Sequence, residues 1–210
     1  MSGLFVTFEG PDGSGKTTQI QKLADYCRAK GYAVVQTREP GGTLISEKIR
    51  ALILDVNTPE MDDVTEALLY AAARAQHVSQ VIRPALKRGD IVLCDRFVDS
   101  SIAYQGHARG LGAGVAEINA FAVQGLEPDL TFFLELDPEA GLKRIRKNSN
   151  FDRLEQETLA FHRRVNEGYE LLRRQYADRY KVVDAAVSED VLALEIRRIF
   201  EVWLAARHSV

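Results

Sequence analysis

Leu4-Phe5-Val6-Thr7-Phe8-Glu9 runs directly into Gly10-Pro11-Asp12-Gly13-Ser14-Gly15-Lys16-Thr17-Thr18, and this stretch decides the fold. Residues 4–9 have the apolar, β-rich character of a buried strand. Residues 10–17 match the Gly-x-x-x-x-Gly-Lys-Thr spacing of a phosphate-binding loop. Residues 17–30 then continue at helical spacing, with Ile20, Leu23, Ala24 and Cys27 on one face and Gly31 as C-cap. Strand, glycine loop and helix in that order set the context in which the pattern carries chemistry. Glycines let successive N–H groups turn inward round an anion, and the helix aims its positive end at the same point. Lys16 is then placed to reach the β and γ phosphates of a nucleoside triphosphate, and the Thr17 hydroxyl to ligate Mg²⁺. The rival reading is a glycine-rich turn that matches by chance. The loop alone leaves the fate of the γ-phosphate open.

Further along, short apolar runs predict strands at 32–37, 90–95, 129–136 and 180–183. Helical spacing is expected at 45–54, 115–124, 139–146, 154–176 and 189–206. Residues 62–86 read as one long helix or two, broken near Pro84, and the glycines at 106, 110, 112 and 114 mark irregular chain. Strands alternating with helices predict an α/β fold, a five-stranded parallel sheet flanked by helices on both sides. The 210 residues, 46% hydrophobic, fit a single domain. Twenty-seven basic against thirty acidic residues give a net charge of −3, which argues against a general nucleic-acid binder. No apolar run approaches the length of a membrane span, about 18 or more residues, and with neither a basic stretch nor a small-residue cleavage site before the first strand no leader is expected. Cys27 and Cys94 form neither a disulfide framework nor a metal knuckle, so the expected setting is the cytoplasm. The basic stretch 143–153 reads either as a lid or as an ordinary solvated helix–turn–helix.

Several blocks together resemble the thymidylate kinase family: residues 4–18, Thr37-Arg38-Glu39-Pro40-Gly41-Gly42-Thr43, Leu68-Leu69-Tyr70 with Arg74, and Asp95-Arg96-Phe97. Ser100-Ser101-x-x-Tyr104-Gln105-Gly106 and Asp152-Arg153-Leu154-Glu155 complete the pattern, in matching order and spacing over about three quarters of the chain. The resemblance implies a nucleoside-monophosphate-kinase fold over residues 1–210, with a lid at about 143–154. It also implies transfer from ATP with Mg²⁺ to dTMP by a homodimer; on charge and hydropathy, neither nucleic acid nor membrane is an expected partner. The donor phosphates fall to Gly10, Pro11, Asp12, Gly13, Ser14, Gly15, Lys16, Thr17 and Thr18, and the metal to Thr17 and Asp95. The resemblance gives the acceptor phosphate to Arg38 and Arg96, which both stand just beyond an apolar strand where a parallel sheet binds ligands. Asp12 faces the acceptor sugar, Tyr70 stacks on the base and Arg74 donates to its edge. Ser101 or Gln105 also meets the base edge, and Tyr104 crowds the 2′ position. On residue types alone, a core tyrosine with a surface arginine is the better reading of Tyr70 and Arg74, and the resemblance reverses it.

In the family it resembles, arginines for the transfer come from the phosphate loop or from the lid; this loop holds none, so the resemblance implies lid charge from Arg144, Arg146, Lys147 or Arg153, with Arg153 and Arg146 the first choices. Residues Asn148-Ser149-Asn150 leave the stretch less charged than the lids it resembles. The four histidines have neither triad nor metal spacing and read as surface or helix-packing residues. Two alternatives stay open: a kinase for another nucleoside monophosphate, and a regulatory triphosphate-binding module. The second lacks the Asn-Lys-x-Asp signature of a guanine-nucleotide switch.

Overall fold

The computed structural model describes residues 3–145 and 152–208. Strand β1 (Leu4–Glu9) is the centre of a five-stranded sheet, flanked by β3 (Ile91–Asp95) and then β2 (Val34–Arg38) on one side. On the other side lie β4 (Leu130–Glu135) and then β5 (Tyr180–Asp184). All four pairings are parallel, so each strand delivers its C-terminal end to the same edge. Phe8 stands beside Asp95 in that register, and Asp95 beside Arg38. The three segments singled out in the sequence therefore meet at one sheet edge.

The two-residue period of a strand sorts the core. Val6, Phe8, Leu93, Phe132 and Leu134 point to the face covered by α1 (Lys16–Ala29) and α9 (Glu189–His208). Phe5, Val92 and Cys94 point to the other face, where Val78, Ile82 and Ala85 close over them. On that second face Phe133 meets Tyr169, Phe161 and Leu172 of α8 (Leu159–Gln175). Each such buried Phe or Leu contributes about 1.5–3 kcal/mol of transfer free energy. The expected α/β architecture, with helices on both faces, is what the chain forms.

Three helical expectations change. The helix α3 (Asp63–His77) is capped by the Asp62 carboxylate and does not break at Pro84. It passes through a π-helical turn at Val78–Ile82 into α4 (Arg83–Arg88), where Pro84 sits in the first turn. Proline has no backbone N–H, so the ladder lacks one bond at this point and the helix continues past it. Likewise α5 (Val98–Ser101) runs into a second π segment, Ile102–Ala108, which includes Gly106. Tyr104 and Gln105 are thus held in helix, not in irregular chain. Finally, α8 starts at Leu159 because Asp152 Oδ1 accepts from the N–H groups of Leu154 and Glu155, both at 2.9 Å, and folds residues 152–158 into turns. Thr158 then caps the helix, accepting from Phe161 N–H at 3.2 Å.

The remaining helices are α2 (Leu44–Leu54), α6 (Gly114–Val123) and α7 (Pro138–Ile145). Residues 146–151, which carry Arg146, Lys147 and the Asn148-Ser149-Asn150 stretch, lie outside the described residues. Among the described residues no helix is long and apolar enough to cross a membrane. Cys27 and Cys94 are free and buried.

Candidate functional site

The phosphate loop follows β1, as its sequence requires. Gly10 has φ 136° and a side chain there would sit 2.6 Å from the Leu134 carbonyl oxygen, so only glycine fits. Gly13 has φ 76° and packs against the Gly141 carbonyl of α7. Inside the loop the Lys16 ammonium donates to the carbonyls of Gly10 (3.1 Å) and Pro11 (2.9 Å). Burial, and then the charge of Arg96, pull the Lys16 amine down to about 8. The Thr17 hydroxyl donates to Asp95 Oδ2 at 2.7 Å, which joins the two expected metal-side oxygens directly.

Beside the loop opens a cleft of about 390 Å³. Gly13, Gly15, Lys16, Thr17, Thr18 and Asp95 line the part of it next to the loop. Asp12, Arg38, Tyr70, Arg74, Arg96, Ser101, Tyr104 and Gln105 line the remainder, so the acceptor set chosen from sequence falls in one cavity. Gly10, Pro11 and Ser14 complete the loop behind it.

Arg96 is the hub of the hydrogen bonds in this part of the cleft. It holds φ 68°, an uncommon conformation for a side chain with a Cβ. Its own N–H bonds the Phe8 carbonyl at 2.9 Å, and the next N–H, of Phe97, bonds Glu9 Oε1 at 2.8 Å. The guanidinium donates to Asp12 Oδ1 (2.6 Å) and Tyr104 Oη (3.2 Å) through Nη2. Through Nη1 it donates to Ser100 Oγ (3.0 Å) and Tyr169 Oη (3.1 Å). Asp12 therefore faces Arg96 and Tyr104, not the inside of its own loop. Burial alone would raise its carboxyl, but Arg96 and then Lys16 outweigh that and hold it well below the usual range.

Under this hub lies a buried carboxylate that the sequence reading did not pick out. Glu9 Oε2 accepts from Ser100 Oγ (2.6 Å) and Tyr169 Oη (2.9 Å), so the oxygens that hold Arg96 are themselves held. Burial and then the nearby Asp99 raise the Glu9 carboxyl. The signal was present: an acid ending an otherwise apolar strand has to be paired.

Arg74 is 2% exposed and nearly saturated. Nε donates to Glu39 Oε2 (2.6 Å), Nη1 to Ser101 Oγ (3.0 Å) and Asn119 Oδ1, and Nη2 to the Phe97 carbonyl (3.0 Å). Four of its five N–H groups are thus fixed, and no partner is found among the described residues for the second Nη2 hydrogen. Tyr70, one turn earlier on α3, presents its ring to the same cleft. Gln105 is turned the other way from the base-edge expectation, at least by its amide nitrogen, which donates to Glu66 Oε1 at 2.9 Å. Arg38 lies at the rim, half-exposed, with Nη2 shared between both oxygens of Glu47 at 3.0 and 2.9 Å.

Arg153 departs from the expectation that its guanidinium faces the transferred phosphoryl group. It is not among the cleft-lining residues. Nε donates to the Ile53 carbonyl at 2.9 Å, and Nη2 pairs with Glu66, a fully buried carboxylate that Arg109 also holds at 3.2 Å. A charge this well paired at a buried acid fastens the segment after residue 151 to α3. Because Arg109 still holds Glu66, Arg153→Met is expected to cost about 2–3 kcal/mol, the worth of a bond to a charged group, or about 5–10 °C in Tm, while kcat stays within about threefold. Thermal melts with initial rates check this; a hundredfold loss of kcat at unchanged Tm would return the residue to the phosphoryl group.

A family model described as thymidylate kinase matches residues 8–196. A thymidylate kinase of Bacillus pumilus (strain SAFR-032) is 53% identical over 204 residues, covering 96% of each chain. One from Lactobacillus delbrueckii subsp. bulgaricus is 58% identical over 190 residues, covering 89% of this chain and 90% of its own. The crystal structure of thymidylate kinase from Ehrlichia chaffeensis superposes with a TM-score of 0.78 at 32% identity, covering 95% of this chain and 100% of that one.

Proposed function

The chain belongs to the thymidylate kinase family, and on that premise we propose that it transfers the γ-phosphoryl group of ATP to dTMP, giving ADP and dTDP, through the residues of the cleft. The observation that carries this reading is the single cavity with the Lys16 loop at one end and the Arg96–Asp12–Tyr104 cluster at the other. The loop N–H groups and Lys16 bind the donor phosphates. Arg96, with Arg38 from the rim, binds the acceptor phosphate and brings its oxygen into line. That oxygen is already anionic, so positioning and charge neutralisation carry the reaction and no base is needed. Thr17 and Asp95 are two hard oxygen donors at 2.7 Å, which suits Mg²⁺ sharing the rest of its shell with phosphates and water. When bound there, the ion screens the β- and γ-phosphate charge.

Tyr70 stacks on thymine, the remaining Arg74 N–H meets its C4 carbonyl, and Ser101 and Gln105 border the base. Asp12 accepts from the sugar 3′-hydroxyl while Tyr104, held against Asp12 at 3.0 Å, fills the space at the 2′ position. Arg144 donates to the carbonyls of Gly13 (3.3 Å) and Ala185 (3.1 Å), which sets it where the donor base would lie. Residues 143–154 form the lid of this one kinase domain, with the remaining positive charge supplied by Arg146, which lies outside the described residues.

Two copies associate through α2, α3 and α6, which pack side by side and leave Leu44, Leu68 and Phe121 in solvent, Phe121 at 88% exposure. The working setting is the cytoplasm, in keeping with two buried free thiols. ADP release from MgATP tests the central reading: it should be near background alone and rise at least a hundredfold with dTMP. Release indifferent to dTMP would favour a triphosphatase module.

A further inference from the structure

The buried histidine of α3 has no place in the phosphoryl-transfer chemistry, yet hydrogen bonds connect it through Glu39 to Arg74, the arginine assigned to the base edge. His77 is 0% exposed, and Nδ1 lies 2.8 Å from Glu39 Oε1 while Nε2 lies 2.6 Å from Thr37 Oγ1. The other oxygen of Glu39 accepts from Arg74 Nε at 2.6 Å. A carboxylate can only accept, so the proton on this side of the ring is on Nδ1. Thr37, His77, Glu39 and Arg74 thus form one unbroken line of hydrogen bonds. The loop after Glu39 closes over it: a side chain at Gly42 would stand 2.6 Å from His77 Cδ2 and 2.7 Å from Thr37 Oγ1.

We propose that His77 is a positioning residue that sets base specificity, by fixing the Glu39 carboxylate that orients the Arg74 guanidinium; this rests on the assignment of Arg74 to the base edge. A guanidinium only donates. It therefore suits a base with a carbonyl at C4 and is mismatched to cytosine, which carries an amino group there. That discrimination requires the free N–H to point in one direction. Ser101, Asn119 and Phe97 hold the Nη side of Arg74, whereas Glu39 alone holds Nε. Glu39 in turn is kept from rotating by His77 on its second oxygen. Without that bond the carboxylate can turn, and Arg74 tilts with it.

The reading is the ratio of kcat/KM for dTMP to that for dCMP. His77→Gln, whose amide reaches the Nε2 position but not Nδ1, should lower the ratio about tenfold, the effect expected of one bond to a charged group. His77→Asn restores a donor near the Nδ1 position and should keep the ratio within about threefold of the unmutated protein. A structural role alone would lower both acceptors equally and leave the ratio unchanged. Equal falls for dTMP and dCMP in His77→Gln, or the same loss of ratio in His77→Asn, would overturn the proposal. If His77→Gln does not fold, Thr37→Val removes the outer bond of the line; a drop in ratio of a few-fold supports the proposal and an unchanged ratio overturns it. Arg74→Met serves as the reference. If it leaves the ratio intact, the base-edge assignment fails and this proposal with it; if it collapses the ratio while His77→Gln does not, only the role of His77 fails.

Discussion

Arg96→Ala is expected to lower kcat/KM for dTMP by about 10³–10⁴-fold, with KM for ATP changed less than about threefold. The magnitude is that of removing an arginine that neutralises transferring phosphate. The asymmetry between substrates follows from the geometry. Every side-chain partner of Arg96 (Asp12, Ser100, Tyr104 and Tyr169) lies outside the donor phosphate cradle or, in the case of Asp12, faces away from it. Removing the guanidinium also leaves Asp12 without the charge that most lowers its carboxyl, so its pKa should rise towards the ordinary range. The acceptor sugar contact should then weaken as pH falls through that new value, whereas in the unmutated protein it persists to lower pH. Steady-state rates over a range of both substrates give the two constants. A loss confined to ATP affinity would mean that Arg96 serves the donor.

Lys16→Ala is expected to reduce kcat by about 10³-fold, close to the cost of deleting one preorganised donor to transition-state charge. Here the Tm should hardly fall. Lys16 is 7% exposed and its ammonium is satisfied by two backbone carbonyls, but burial opposes its charge and pulls its amine down to about 8. Alanine removes that opposition together with the bonds. Rates and melts on the same sample separate the effects: lost activity with retained folding is the expected pair. Retained activity would exclude Lys16 from the transfer.

Much of this arrangement was legible in sequence because its parts are local. The glycine loop, its strand and its helix are contiguous, and Arg38 and Arg96 each announce a strand end. The sheet edge then brings them together without further information. What was not legible depends on contacts across long separations. Glu9 and Tyr169 are 160 residues apart and meet only after α8 packs on the sheet. Nothing near His77 in the sequence points to Glu39 or Thr37, so it read as helix packing. The pairing of Arg153 was hidden for a related reason: its motif placed it near the lid, whereas its partner Glu66 lies far away in sequence on α3. The π segment at Ile102–Ala108 was hidden by its glycine, which local propensity assigns to a turn and tertiary packing keeps helical. Gly168 of α8 explains part of that packing, since a side chain there would come within 2.9 Å of Ala103 Cα.

The central claim is that this cleft selects thymidine monophosphate as acceptor. Its most direct test is the coupled rate of ADP formation from MgATP across dTMP, dUMP, dCMP, ribothymidine monophosphate, AMP and GMP at equal concentrations. The account predicts dTMP first by a wide margin and dUMP next, since both offer a C4 carbonyl. It predicts ribothymidine monophosphate reduced by Tyr104 at the 2′ position, and dCMP and the purine nucleotides near background. A purine nucleotide or dCMP used as well as dTMP would contradict it.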